Sequence, residues 1–116
     1  MFALSPATRI YLAAGATDLR KSFDGLSDLV TQRFQQDPLS GHLFLFVNRR
    51  RNRLKVLYSD GTGVWVCAKR LGRGAFAWPR SSEPGARRIL AAELTLLLSG
   101  IDLERTQARQ WWRSAG

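Results

Sequence analysis

Three apolar runs of strand length follow one another almost without interruption: "HLFLFVN" (42–48), "RLKVLYS" (53–59) and "GVWVCAK" (63–69). No other feature of the chain narrows the possible folds as much. The connection "DGTG" (60–63) carries a strong short hairpin signal. The connection "NRRRN" (48–52) is also of hairpin length, and Asn48 and Asn52 suit left-handed backbone at its edges. Strands joined this tightly pair antiparallel, because a parallel pair needs a long crossover. The runs are apolar at nearly every position instead of alternating. That predicts a sheet covered on both faces, by helices or by a second subunit.

The flanking segments complete an outline. "RIYLAAG" (9–15) reads as a short strand closed by Gly15. Residues 17–34 read as a helix with Thr17 at its N-cap and Asp18 at the positive end of its dipole. Leu19, Phe23, Leu26 and Val30 form one apolar stripe along it. Gly25 inside such a helix implies close packing against a neighbour, since Gly is worth about 1 kcal/mol less than Ala there. "DPLSG" (37–41) is a turn. "GAFAW" (74–78) reads as a further strand, "PRSSEPGARR" (79–88) as a loop, and "ILAAELTLLLSGI" (89–101) as a second helix ending at Gly100. The order β-α-β-β-β-(β)-α predicts an α+β fold. One domain over residues 1–102 would hold a mostly antiparallel sheet of four to five strands and two main helices. Residues 103–116 read as a basic tail or an extra helix carrying Trp111 and Trp112.

Charge is the strongest functional pointer. The 116 residues carry 18 Lys plus Arg against 9 Asp plus Glu, a formal net charge of +9. Such an excess favours polyanions or an acidic partner protein. Fifteen of the 18 cations are Arg, whose planar donor fork fits phosphate and base edges. Arg-rich codon usage accounts for the Arg-to-Lys ratio but not for the net excess. The single cysteine, Cys67, has no internal partner and, within the apolar run "GVWVCA", reads as a buried, inert thiol in a reducing cytosol. No charged segment followed by a long apolar core opens the chain, so no signal peptide is expected. No run reaches the length needed to cross a bilayer, and a cytoplasmic protein is expected.

The chain offers little for catalysis. Its one histidine, His42, stands at a strand start without a neighbouring nucleophile motif and reads as structural. One Cys and one His do not make a zinc site, and no Walker-type loop is present. The carboxylates open to two-metal chemistry are Asp18, Asp24, Asp28, Asp60, Glu93 and Asp102. Asp24 and Asp28 share the polar face of the first helix, and Asp60 belongs to a turn. No catalytic residue, metal or cofactor is expected.

A basic surface is the better candidate. Arg49, Arg50, Arg51 and Arg53 cluster at one hairpin end, and Lys69, Arg70 and Arg73 follow the strand expected to pair beside it. With the strand 53–59 antiparallel to its neighbours, its start lies against the end of 63–69. The two clusters, with Lys55, then form one patch for nucleic acid. An acidic protein partner and a solubilising cap on the sheet end are the alternatives. No helix-turn-helix or zinc finger supplies base readout.

The blocks "GATDLRKSFDGL", "DPLSGHLFLFVNRRRNRLKVLYSDGTG", "KRLGRGAFAWP" and "LLLSGID" together resemble the TnpB accessory proteins of the IS66 family of bacterial insertion sequences. The resemblance runs in order from about Arg9 to Asp102. It implies a small cytoplasmic protein that supports DNA transposition and recombination of a mobile element beside a separate transposase, to which the catalytic chemistry is attributed. The RNA-guided nuclease of the same name is a different, larger protein. Ser59 stands where an aromatic residue is expected. Two functions follow: a non-catalytic DNA-binding factor using Arg49, Arg50, Arg51, Arg53, Lys55, Lys69, Arg70 and Arg73, or a module that docks on the transposase without touching DNA. A homo-oligomer is compatible with both.

Overall fold

The computed structural model describes residues 5–79 and 85–100. Seven elements follow in chain order: β1 (Ile10–Ala13), α1 (Phe23–Gln32), β2 (Leu43–Val47), β3 (Arg53–Ser59), β4 (Val64–Arg70), β5 (Ala86–Ile89) and α2 (Ala91–Ser99). They make one α+β domain with a five-stranded sheet in the order β4-β3-β2-β1-β5. Every neighbouring pair is antiparallel except β1 with β2, which is parallel, with Ile10 opposite Leu43. The connection through α1 makes that parallel pair possible.

The apolar runs are buried as their pattern requires. All five residues of β2 are buried, at roughly 1.5–3 kcal/mol for each large side chain. On one face, Tyr11, Phe44, Phe46 and Leu57 pack with Leu26 and Val30 of α1 and with Phe34. On the other, Leu12, Leu45, Leu54 and Val56 pack with Leu94 and Leu97 of α2 and with Phe76 and Trp78. Helices and one irregular segment therefore cover the central strands.

The first helix is shorter than its periodicity suggests. Thr17 is not its N-cap: the Thr17 N–H donates to the Val47 carbonyl at 2.8 Å, tying residue 17 to the end of β2. The chain then turns over 18–21, and Leu26 N–H to Ser22 O is the first helical bond at 2.9 Å. Within the expected stripe only Leu26 and Val30 are buried in α1, while Phe23 is 48% exposed. Gly25 does sit in a close contact, with the chain's own Lys21. A Cβ added there would lie 3.0 Å from the Lys21 Cβ.

Three further expectations are corrected, the first being that Cys67, on the outer strand β4, is half-buried and not buried. Residues 74–78 form no strand, although Ala75, Phe76, Ala77 and Trp78 are all buried. Their apolar content serves packing: Trp78 Nε1 donates to the Ala13 carbonyl at 2.9 Å. The fifth strand is β5, which takes the end of the segment read as a loop (79–88) and Ile89, read as the start of the second helix. It pairs along β1 from Ile10 opposite Ile89 to Ala13 opposite Ala86. Only Ile89 of β5 is buried, so hydrophobicity gave no warning of it. Helix α2 ends as expected at Gly100, at φ 71°. A Cβ there would come within 2.8 Å of Leu71 Cδ1.

The 60–63 turn is organised by one carboxylate. Asp60 accepts from the Thr62 N–H, the Thr62 hydroxyl, the Gly63 N–H and Trp65 Nε1, all at 2.8–2.9 Å. These donors, the Trp65 indole foremost, hold its carboxyl well below the usual carboxylate range. A depressed folded pKa gives stability that is complete above the unfolded value and lost as pH falls through the folded one. Asp60→Ala is expected to lower the melting temperature at pH 7. The gap from wild type should narrow once pH drops below about 4; thermal melts at a series of pH values check both.

Candidate functional site

The β3–β4 register brings the two basic clusters together. Arg53 lies directly opposite Arg70, Leu54 opposite Lys69 and Lys55 opposite Ala68. Because side chains alternate along a strand, Arg53, Lys55 and Arg70 share the face that carries α1, and Lys69 points to the face of α2. The bonds of the two lysines agree. Lys55 Nζ donates to the Lys21 carbonyl at 2.9 Å, just before α1, and Lys69 Nζ donates to the Leu98 carbonyl at 2.7 Å, at the end of α2. Lys69 so satisfies a helix C-terminal carbonyl with a positive charge. Both lysines add charge to the patch while serving the fold.

The arginine turn is rigidly held through its backbone. Asn48 Oδ1 accepts from the N–H groups of Asn52 (3.1 Å) and Arg53 (3.0 Å), and Asn48 Nδ2 donates to Asn52 Oδ1 at 2.8 Å. The left-handed residue is Arg51, at φ 60°, and not either asparagine. The next segment clamps the turn from outside: Leu71 N–H donates to Asn52 O at 2.8 Å and Phe76 N–H to Arg51 O at 2.7 Å. Arg49, Arg50 and Arg73 are exposed. No acidic side chain among the described residues pairs with any of the six arginines of the patch.

Two shallow grooves meet at Asn48. One, of about 600 Å³, is lined by Asp18, Arg20, Arg53, Lys55, Lys69 and Arg70, among others; the Lys69 ammonium turns away to Leu98, so that four cations face one carboxylate. The other, of about 440 Å³, runs past Arg49 and Arg51 to Trp78 and Pro79. Arg20 belongs to this surface although strand reasoning did not place it there. Its guanidinium bonds both Asp18 oxygens, with Nη2 to Oδ2 at 2.8 Å and Nε to Oδ1 at 3.0 Å. That contact holds the Asp18 carboxyl well below its usual range. The missed signal was the "TDLRK" stretch, whose cations only the non-helical path of residues 17–22 brings to the groove.

The other polar candidates are dispersed. His42 Nδ1 accepts from the Arg9 N–H at 2.9 Å, and desolvation, then Arg9 and Arg88, lower its pKa. Its ring ties the start of β1 to the start of β2. Glu93 is buried, and its Oε1 accepts from the Leu90 N–H at 3.0 Å at the start of α2. Among the described residues no three His, Cys, Asp or Glu side chains gather as a metal site requires. No described helix is long and apolar enough to cross a membrane. Asp102, Trp111 and Trp112 lie outside the described residues.

Comparison with known proteins agrees with the block pattern. The model of a family described as IS66 Orf2-like protein matches residues 8–108. Protein y4hO of Sinorhizobium fredii, described as uncharacterized, is 45% identical over 105 residues, covering 90% of this chain and 89% of the relative. Protein y4jC of the same organism, described likewise, is 33% identical over 109 residues, covering 94% and 92%. No solved structure matches.

Proposed function

The chain belongs to the IS66 Orf2-like family and is thus an insertion-sequence accessory protein, and from that premise we propose that it binds DNA, without catalysis, through the basic end of its sheet. One observation carries the reading. Arg53 and Arg70 are directly opposed across an antiparallel pair, and neither has an acidic partner among the described residues. Like charges directly opposite destabilise a sheet, by roughly 0.2–1 kcal/mol. A polyanion laid over this end removes that repulsion and engages both guanidiniums.

The surroundings fit the same ligand. Arg49, Arg50 and Arg73 extend the charge around the turn, Arg20 and Lys55 extend it into the groove, and Lys69 adds charge on the other face of β4. A rigid turn keeps the arginine backbones fixed, so binding orders only side chains. Among the described residues neither helix carries a basic face at this surface, and contact with the phosphate backbone is the mode it supports.

Fluorescence anisotropy with element-end and random duplexes across a salt series tests the proposal. Affinity of micromolar order or tighter is expected at low salt, falling with a log–log slope of about −0.9 for each phosphate neutralised. Little difference between the two duplexes is expected. Absence of binding at low salt would overturn it.

A further inference from the structure

The outer edge of β4, which adjoins the basic surface at Lys69 and Arg70, carries a separate inference. β4 is a seven-residue edge strand, paired with β3 at every position and on its other side with no described strand. Two bonds fix which groups face outward: Asp60 N–H to Gly63 O at 3.1 Å, and Leu71 N–H to Asn52 O at 2.8 Å. Hydrogen-bonded pairs alternate along an antiparallel ladder. Trp65, Cys67 and Lys69 therefore bond to β3. Val64, Val66, Ala68 and Arg70 turn their amide and carbonyl groups away from the sheet.

Proteins guard such edges with prolines, bulges, short strands or charges in mid-strand. β4 has none of these: its register is unbroken, "VWVCA" carries no charge, and Trp65 is 55% exposed. We infer that β4 pairs antiparallel with β4 of a second copy of this chain, joining two sheets into one across a two-fold axis.

Charge complementarity selects that occupant and direction. The strand is basic at one end, with Lys69 and Arg70, and apolar at the other, where Asp60 adds a carboxylate beside Trp65. Antiparallel self-pairing sets the basic end of each copy beside the apolar, acid-bearing end of the other. Parallel self-pairing would stack the basic ends. Full overlap places Cys67 on the axis facing its own copy, Val66 opposite Ala68 and Val64 opposite Arg70. Each outward amide then meets an outward carbonyl. The Cys67 pair is of the non-hydrogen-bonded kind, with Cα atoms about 4.5 Å apart, which is within disulfide reach.

Light scattering and sedimentation of the full chain over a concentration series, at about 50 and 500 mM salt, test the inference. A dimer is expected that tightens with salt, because two chains of net charge +9 repel, whereas DNA binding weakens with salt. Failure of one reading is thus distinguishable from failure of the other. Ala68→Pro removes an outward N–H and leaves the β3 ladder intact, as prolines on edge strands do. It is expected to weaken dimerisation by about tenfold or more, with circular dichroism unchanged. Should that variant fail to fold, wild type treated with oxidised glutathione decides. Each pair of Cys67 thiols then loses two protons and two electrons to the oxidant, and a covalent dimer accumulates. A monomer at every concentration, a dimer indifferent to Ala68→Pro, or no Cys67 cross-link in a dimer overturns the inference.

Discussion

Arg49→Glu, Arg50→Glu, Arg51→Glu and Arg53→Glu together are expected to abolish duplex binding while the protein stays folded. Six phosphate contacts carry on the order of a thousandfold in affinity between about 50 and 200 mM salt, and reversing the charges adds repulsion to their loss. The structure explains why the fold should tolerate this. None of the four side chains has an acidic partner among the described residues, and the turn is held by Asn48 and by main-chain bonds. Arg53→Glu even improves the sheet, since a carboxylate opposite Arg70 turns a like-charge pair into an attractive one. That exchange is worth roughly 0.2–1 kcal/mol, so the melting temperature should stay level or rise by about a few degrees. Anisotropy and thermal melts on one preparation read both effects. Unchanged affinity would remove the proposed surface.

Phe76→Ala is expected to have the largest effect on stability. Phe76 is 1% exposed and sits in the core cluster beneath α2. Truncating a buried Phe costs about 3–5 kcal/mol, a large share of the roughly 5–15 kcal/mol that holds a domain together. The same residue donates its N–H to Arg51 O, so the loss should also loosen the arginine turn. Denaturant titration should show the midpoint falling steeply. Hydrogen exchange should show reduced protection at the Phe76 amide in any fraction that remains folded. Leu39→Ala, at a side chain 64% exposed, is the control and should change stability by no more than about 0.5 kcal/mol. Equal effects at the two positions would contradict the packing described here.

How far the sequence could be read depended on whether a residue's partner lay nearby in the chain. The β2–β3–β4 meander was legible because its strands are apolar throughout and its turns are short. The meeting of Arg53 with Arg70 followed from that topology. β5 was not legible: its "ARRI" has one buried side chain, and its reason to be a strand is β1, some 75 residues earlier. The 74–78 segment misled in the opposite sense. Burial of Phe76 and Trp78 requires apolar residues whether or not their backbone joins a ladder. Arg20 was missed because residues 17–22 read as helix, whereas the Thr17 bond to Val47 pulls them along the sheet end. Asn48 was noticed for its backbone and matters for its side chain, which three bonds make the centre of the turn.

The strand order also divides the molecule by the chain entropy of its assembly. β2, β3 and β4 are consecutive and close over short turns. The β1–β5 ladder, from Ile10 with Ile89 to Ala13 with Ala86, closes a loop of most of the described chain. Loop-closure entropy rises by about 0.6 kcal/mol with each doubling of length, so the β5 margin bears the larger loss and the arginine end the smaller. The proposed contact surface, the Asp60 turn and the outer edge of β4 all stand on the part of the topology made from local contacts. The remote pairing that completes the sheet is confined to the opposite side.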